Sequence, residues 1–226
     1  MPGKHDEPVF DALAMGYEAW FDKSPGREIF PLELDCIRAV GADFRGEWLE
    51  VGVGTGRFAE VLGINHGIDP STEMLAFAQQ RGVLAVEGVG EDLPYRDETM
   101  DGVAMFTVLP FLSDPARCFR EIERVLLPGG SLVVSLVPAD SPWGLFYIEQ
   151  GKQGHEVFSF SRFFRCDEVA QLAAAVGLSH SRDASCLLCP AGAKPDPAEQ
   201  VAASIVPGAS FVTMLFRKGL DILRQC

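Results

Sequence analysis

The residues best placed to do chemistry are Glu50, Gly52, Gly54 and Gly56, spaced two apart in Trp48-Leu49-Glu50-Val51-Gly52-Val53-Gly54-Thr55-Gly56-Arg57-Phe58. An apolar run entered through Gly46 turns abruptly into alternating glycines, and helix-compatible residues resume at Phe58. That pattern predicts a buried strand, a tight loop and a helix. Glycine has no Cβ, so the backbone here can reach positive φ and a ligand can lie almost on the main chain. The dinucleotide fingerprint G-x-G-x-x-G requires a glycine at position 57, where this chain has Arg57, too large for the close helix-to-strand contact of that loop. No G-x-x-x-x-G-K-S/T phosphate cradle occurs either. Glu50 argues in the same direction, because a carboxylate beside the loop suits an ammonium or sulfonium better than a phosphate. The plainer alternative is a glycine-rich turn that binds nothing.

The surrounding elements must place that loop at the tip of the leading strand of a sheet. Residues 8–22 carry apolar and aromatic groups at mixed helical spacing and predict a short helix or ordered arm. Pro31 to Val40 predicts a helix with Leu32, Cys36, Ile37 and Val40 on one face. A helix from Arg57 to Leu62, a strand over 64–69, a helix from Pro70-Ser71 to Arg81 and a strand from Val83 to Val86 follow. Met100 to Phe106 is a strand, Asp114-Pro115 caps a helix that Pro128-Gly129-Gly130 ends, and Ser131 to Val137 is an apolar strand. Strands alternating with helices imply βαβ units and a parallel sheet. Residues 141–165 are aromatic-rich and read as irregular. Asp167 to Val176 is a helix, and Leu178–Leu188 and Ser210–Phe216 are strands that should run antiparallel, with a helical turn near 198–204 between them. Asp69, 17 residues beyond Gly52, falls at the carboxyl end of its strand, where open α/β sheets bind ligands. Its carboxylate can accept both hydroxyls of a ribose, or merely cap the next helix.

Composition narrows the function classes. With 19 Lys and Arg against 32 Asp and Glu, the net charge of −13 repels phosphate backbones and anionic lipid surfaces, so nucleic acid and membranes are not expected partners. Met1 to Pro8 has no apolar signal region and no stretch is long enough to span a bilayer, so a cytoplasmic location is expected. The six cysteines, Cys36, Cys118, Cys166, Cys186, Cys189 and Cys226, read mostly as small buried thiols. Cys186 and Cys189 suggest a metal pair, but strand geometry sends them to opposite faces and no partner pair exists, so no metal is expected.

Taken in order, the strings "LEVGVGTGRFAEVL", "GIDPSTEMLAFA", "GEDLPYRDETMDGV" and "FREIERVLLPGGSLVVS" resemble the class I methyltransferases that use S-adenosylmethionine (SAM), and within them the small-molecule branch related to ubiquinone and menaquinone biosynthesis. The resemblance implies a Rossmann-like α/β fold with a mostly parallel seven-stranded sheet and a C-terminal antiparallel hairpin. It implies one methyltransferase domain over 1–226: a helical arm (1–44), a SAM-binding core (45–137), a substrate-side insertion (138–166), and a last helix with antiparallel strands (167–226). By the same resemblance Glu50, Gly52, Gly54 and Gly56 hold the methionyl part of SAM, Asp69 the ribose hydroxyls, and Val89, Gly90 and Glu91 the adenine edge. Thr107 and Val108 face the sulfonium end. Many relatives have an acidic residue where Val89 stands, so adenine here must rely on backbone or on Glu91.

Methyl transfer from a sulfonium is an in-line displacement whose leaving group departs neutral, so holding the reactants collinear supplies much of the catalysis. A general base helps only when the acceptor is protonated. His66, His155, Glu149 and Glu156 are the available groups, and none is assigned that role. The aromatics of 143–164 with Tyr17 and Trp20 form either an apolar lid over a small-molecule acceptor or the core beneath a long insertion. The competing readings are a noncatalytic SAM- or nucleoside-binding module of the same fold and an NAD-dependent oxidoreductase, the latter disfavoured by Arg57. Neither the acceptor nor the oligomeric state is legible.

Overall fold

The computed structural model describes residues 9–220. Met1 to Pro8, where the signal-sequence reading falls, and Cys226 lie outside the described residues. Two helices come first, α1 (Val9–Trp20) and α2 (Gly26–Ala39). The sheet is then built from β1 (Trp48–Val51), β2 (His66–Asp69), β3 (Leu84–Glu87), β4 (Met100–Phe106) and β5 (Leu126–Leu136). Helices α3 (Arg57–Leu62), α4 (Thr72–Gln80) and α5 (Pro115–Val125) connect them. Then come α6 (Pro142–Lys152), α7 (Cys166–Ala175), β6 (Leu178–Cys186) and β7 (Phe211–Lys218).

The seven strands lie in the order β3-β2-β1-β4-β5-β7-β6. The first five are parallel, while β7 runs antiparallel to both β5 and β6. The expected α/β sheet with its terminal antiparallel pair is therefore present. Both faces are covered, which is why the central strands are apolar throughout rather than alternating. One face packs Ile29, Ile37 and Phe58 against Trp48, Ala104 and Val133. The other packs Phe119, Ile122 and Val169 against Leu49, Met105 and Val134. Side chains alternate along a strand, so Glu50 shares the face of Trp48, toward α2 and α3.

The structure departs from the sequence reading in four places. Helix α2 begins at Gly26 and carries Pro31 inside it, because a proline in the second turn forfeits one backbone bond without ending the helix. Helix α5 ends at Val125, and Pro128-Gly129-Gly130 is part of β5: the register with β4 shifts between Met100 and Gly102, and Gly129 has φ 82°. Those residues form a bulge rather than a helix stop. The stretch read as irregular contains α6, started by Ser141, whose hydroxyl accepts from the Gly144 N–H at 3.1 Å, and by Pro142 in the first turn. No helical turn forms at 198–204; Ala202 instead bridges to Ser185.

Candidate active site

The three loop glycines serve different needs. All have positive φ: 70° at Gly52, 51° at Gly54 and 78° at Gly56. A Cβ on Gly52 would fall 2.2 Å from a methyl of Val108, so its bareness lets the loop after β4 close against it. A Cβ on Gly56 would fall 2.9 Å from the backbone of Ala78, so this glycine seats α4 against α3. That is the close packing that the dinucleotide loop obtains at the next position, and it frees Arg57 for another task. Gly54 has only the ring of Tyr17 nearby, 3.8 Å from where a Cβ would stand. Gly54 is the position that leaves the backbone open to a ligand.

Two carboxyls flank the loop. Glu50, at the end of β1, is 2% exposed, and its Oε2 has no hydrogen-bond partner. Burial first, and the neighbouring Asp69 second, push its pKa well above the usual carboxylate range, against the pull of the Ala59 amide. Asp69, at the end of β2, accepts from the Gly54 N–H at 2.9 Å and from the Ser71 N–H at 2.9 Å. Desolvation raises its pKa while those amides lower it. The cap of α4 is Ser71, so Asp69 supports the loop and the turn before α4 but leaves acceptor capacity on both oxygens.

The other expected positions gather around this centre. Thr107 takes φ 56°, a strained value for a threonine, and donates its N–H to the Ser135 carbonyl at 2.9 Å. Val108 meets Gly52. In the turn after β3, Val89 is 44% exposed, whereas a Cβ on Gly90 would strike Cys118 and Val51 at 2.7 Å. Glu91 Oε1 accepts from the N–H groups of Ser113 and Asp114, at 2.8 and 3.1 Å, so this side chain pins the turn to the start of α5.

Of the histidines and acids considered as bases, His66 begins β2, at the opposite end from Asp69, and bonds Glu47 at 2.7 Å. His155 stacks on Phe158. Glu149 pairs with Lys152 and Gln153, and Glu156 is exposed. None is brought to the loop. Cys186 sits beside Cys36, and Cys189 turns to the Ala193 carbonyl. The aromatics divide: Trp143 and Phe164 are core, while Phe146 and Phe160 keep 42% and 38% of their surface.

Helix α1 roofs the loop. An aromatic ladder, Tyr17–Phe21–Phe30–Phe58–Phe106, with centroid spacings of 5.2, 5.1, 5.0 and 5.1 Å, runs from the arm through α2 and α3 to β4. Glu18 forms ion pairs with Arg57 and Arg81, the latter at 2.7 Å, and Arg81 also donates to the Thr55 carbonyl at 2.9 Å. Asp11 reaches Ser71 at the start of α4. Sequence reasoning named neither Glu18 nor Glu33. Glu33 lies on the buried stripe of α2 with Ile29, Cys36 and Ile37, and an acid at a core position of a helical period was its available signal.

A methyltransferase-domain family model matches residues 49–134. The chain is 30% identical to a Thermotoga maritima protein whose crystal structure is described as that of a SAM-dependent methyltransferase, possible histamine N-methyltransferase; the match covers 93% of this chain and 98% of that one, with a TM-score of 0.85. The chain belongs to the SAM-dependent methyltransferases. An uncharacterised protein of Mycobacterium bovis is 37% identical to this methyltransferase across 89% of this chain and 70% of its own. The resemblance to the quinone branch has a counterpart in a demethylmenaquinone methyltransferase of Corynebacterium kroppenstedtii, 37% identical over 37% of this chain and 36% of that one. The cofactor of the methyltransferase is therefore SAM, and the residues present fit it. The orphaned Glu50 oxygen and the bare backbone at Gly54 are what a cationic donor lying on the main chain requires.

Proposed function

We propose that this methyltransferase transfers the methyl group of SAM to a small-molecule acceptor. Glu50 with Gly52 and Gly54 receives the methionyl part, Asp69 the ribose hydroxyls, the Val89-Gly90-Glu91 turn the adenine, and Thr107 and Val108 border the sulfonium. Gly56 contributes by seating α4, and Glu91 by fixing its turn. The observation that carries this reading is the unpartnered, buried Glu50 oxygen at the tip of β1, facing the same space as Asp69. Two carboxyls there with no compensating cation acting on them among the described residues suit a positively charged ligand.

Bound SAM supplies the activated methyl. The chain holds the donor, excludes water beneath α1 and keeps the acceptor in line. The description of the Thermotoga relative, a possible histamine N-methyltransferase, supports a small basic acceptor. Net charge −13 disfavours nucleic acid as the acceptor. No described helix is long and apolar enough to cross a membrane. Calorimetric titration with SAM, S-adenosylhomocysteine and NAD is the direct test, followed by transfer of labelled methyl to a panel of small acceptors. Saturable binding of the first two and none of the third is expected, whereas tight NAD binding without a SAM response would overturn the assignment.

A further inference from the structure

Helix α1 turns one stripe inward: Phe10, Ala14 and Tyr17, continued by Phe21 just past its end, at helical spacings of four and three. Ala14 and Phe21 are packed, at 2% and 5% exposed, and Phe10 meets Phe111 beyond β4 edge to face, with centroids 5.0 Å apart. Tyr17 stands between them on the same stripe, yet keeps 36% of its surface accessible. A ring on the inward stripe that stays open between packed neighbours overhangs a space beneath the helix. The floor of that space is the donor loop, since Cε1 of Tyr17 lies 3.8 Å from where a Cβ on Gly54 would stand. The ring is braced edge to face on Phe21 at 5.2 Å, and the next residue, Glu18, is tied to Arg57 and Arg81. Arg57 gives its guanidinium to the neighbouring ring, 5.0 Å over Phe21, and to Glu18 and Asp22, so it does not cover Tyr17. The charges acting on the Tyr17 hydroxyl are those of acids: Glu33, Glu50, Asp69 and Glu18. Trp20, read from the sequence as its companion, closes instead over Gly26, where a Cβ would strike its ring at 2.6 Å.

The sulfur of SAM joins the methionyl chain to the ribose. With the first at Glu50 and Gly52 and the second at Asp69, that junction falls over Gly54, whose N–H donates to Asp69 at 2.9 Å, beneath the Tyr17 ring. We propose that Tyr17 reads the charge on the donor's sulfur: its ring face covers the sulfonium of SAM by cation–π attraction and has no such hold on the neutral thioether of S-adenosylhomocysteine. The proposal rests on the donor reading above and tilts that same site toward substrate over product. When the methyl passes to the acceptor's lone pair, the electrons of the broken carbon–sulfur bond stay on sulfur, and the charge beneath the ring disappears. The roof then loses its attraction for what it covers at the moment the donor is spent. Burial of the ring between α1 and the loop strengthens the effect, because a cation shielded from water interacts more strongly with an aromatic face.

The test is calorimetric titration of the full-length protein with SAM and with S-adenosylhomocysteine, in the wild type, Tyr17→Phe and Tyr17→Leu. The quantity read is the ratio of the two dissociation constants. Tyr17→Phe keeps the aromatic face and should hold that ratio within twofold of wild type. Tyr17→Leu removes the face and should shift the ratio against SAM by about threefold or more. Equal weakening of both ligands in Tyr17→Leu would make the residue a lid that does not sense charge, and a shift of the ratio in Tyr17→Phe would assign the effect to the hydroxyl; either result overturns the proposal. Should Tyr17→Leu not fold, phenylalanines bearing one, two and three fluorines at position 17 decide, because they keep the shape of the ring while draining charge from its face. SAM affinity should then fall stepwise with S-adenosylhomocysteine affinity level, and a SAM affinity indifferent to fluorination overturns the assignment. Failure of both ligands to bind the wild type instead removes the donor reading on which the proposal stands.

Discussion

At the residue scale, the loop glycines separate a folding requirement from a binding one. Gly56→Ala places a methyl group 2.9 Å from the Ala78 backbone at a φ of 78°, so a loss of about 2–3 kcal/mol of stability is expected, measured by urea denaturation. Gly54→Val puts a β-branched residue at a φ of 51°, so it should lower the melting temperature as well as abolish SAM binding, the latter read by calorimetry at a temperature where circular dichroism shows the variant folded. Equal affinity in that variant would detach the loop from the donor. Asp69→Ala removes the acceptor bonded to Gly54 and Ser71 as well as the proposed partner of the ribose, and a weakening of SAM by roughly 1–3 kcal/mol is expected. An unchanged dissociation constant would refute the ribose role.

At the element scale, α1 matters because it is both roof and wall. Arg57, which stands where a dinucleotide fold has its last glycine, joins Arg81 in holding Glu18. The pair is largely shielded, with side-chain exposures of 19% and 15% for Arg57 and Glu18, so it is worth more than a surface ion pair. Glu18→Ala leaves two guanidinium groups without their common partner. The expected outcome is faster release of S-adenosylhomocysteine in stopped-flow measurements, by threefold or more, with the sheet intact by circular dichroism; an unchanged off-rate would show that the arm does not retain the donor. The loop, Asp69 and the strand–helix alternation were legible because glycine spacing and apolar period are local signals. Helix α6 was missed because its aromatic content masks a helical period, although Ser141-Pro142 was a start signal. Glu33 was missed although it falls in the helical period of Ile29, Cys36 and Ile37, because whether an acid on that stripe is buried depends on how α2 packs against β6 and β7, which is not a local signal.

At the scale of the whole molecule, the buried acids shape stability against pH. Glu33 is raised to about 8 and Glu50 is raised well above its usual value, so both are held protonated in the fold at pH values where the unfolded chain has lost their protons. Their contribution is complete below the ordinary carboxyl range near 4.5 and is lost as pH rises through the folded values, on the order of 1.4 kcal/mol per pH unit for Glu33 between those limits. Glu18 and Glu121 are lowered by their arginines and act in the opposite sense, destabilising the fold only in acid. Thermal melts of the ligand-free protein should therefore fall between pH 5 and pH 8, and Glu33→Gln should flatten that limb. A slope identical in the variant would mean that the acid is not held protonated.

The sheet order carries a consequence for synthesis of the chain. Among the seven strands β6 pairs with β7 alone, apart from a single bridge between Ser185 and Ala202, and β7 is the strand that joins it to β5. As the nascent polypeptide leaves the ribosome, residues 178–186 emerge with no neighbour on either edge and wait until 211–218 slide into the slot beside them. His180, Ser181 and Arg182 stay exposed even in the finished fold, and polar groups along an unpaired ribbon discourage it from annealing to another copy during that delay.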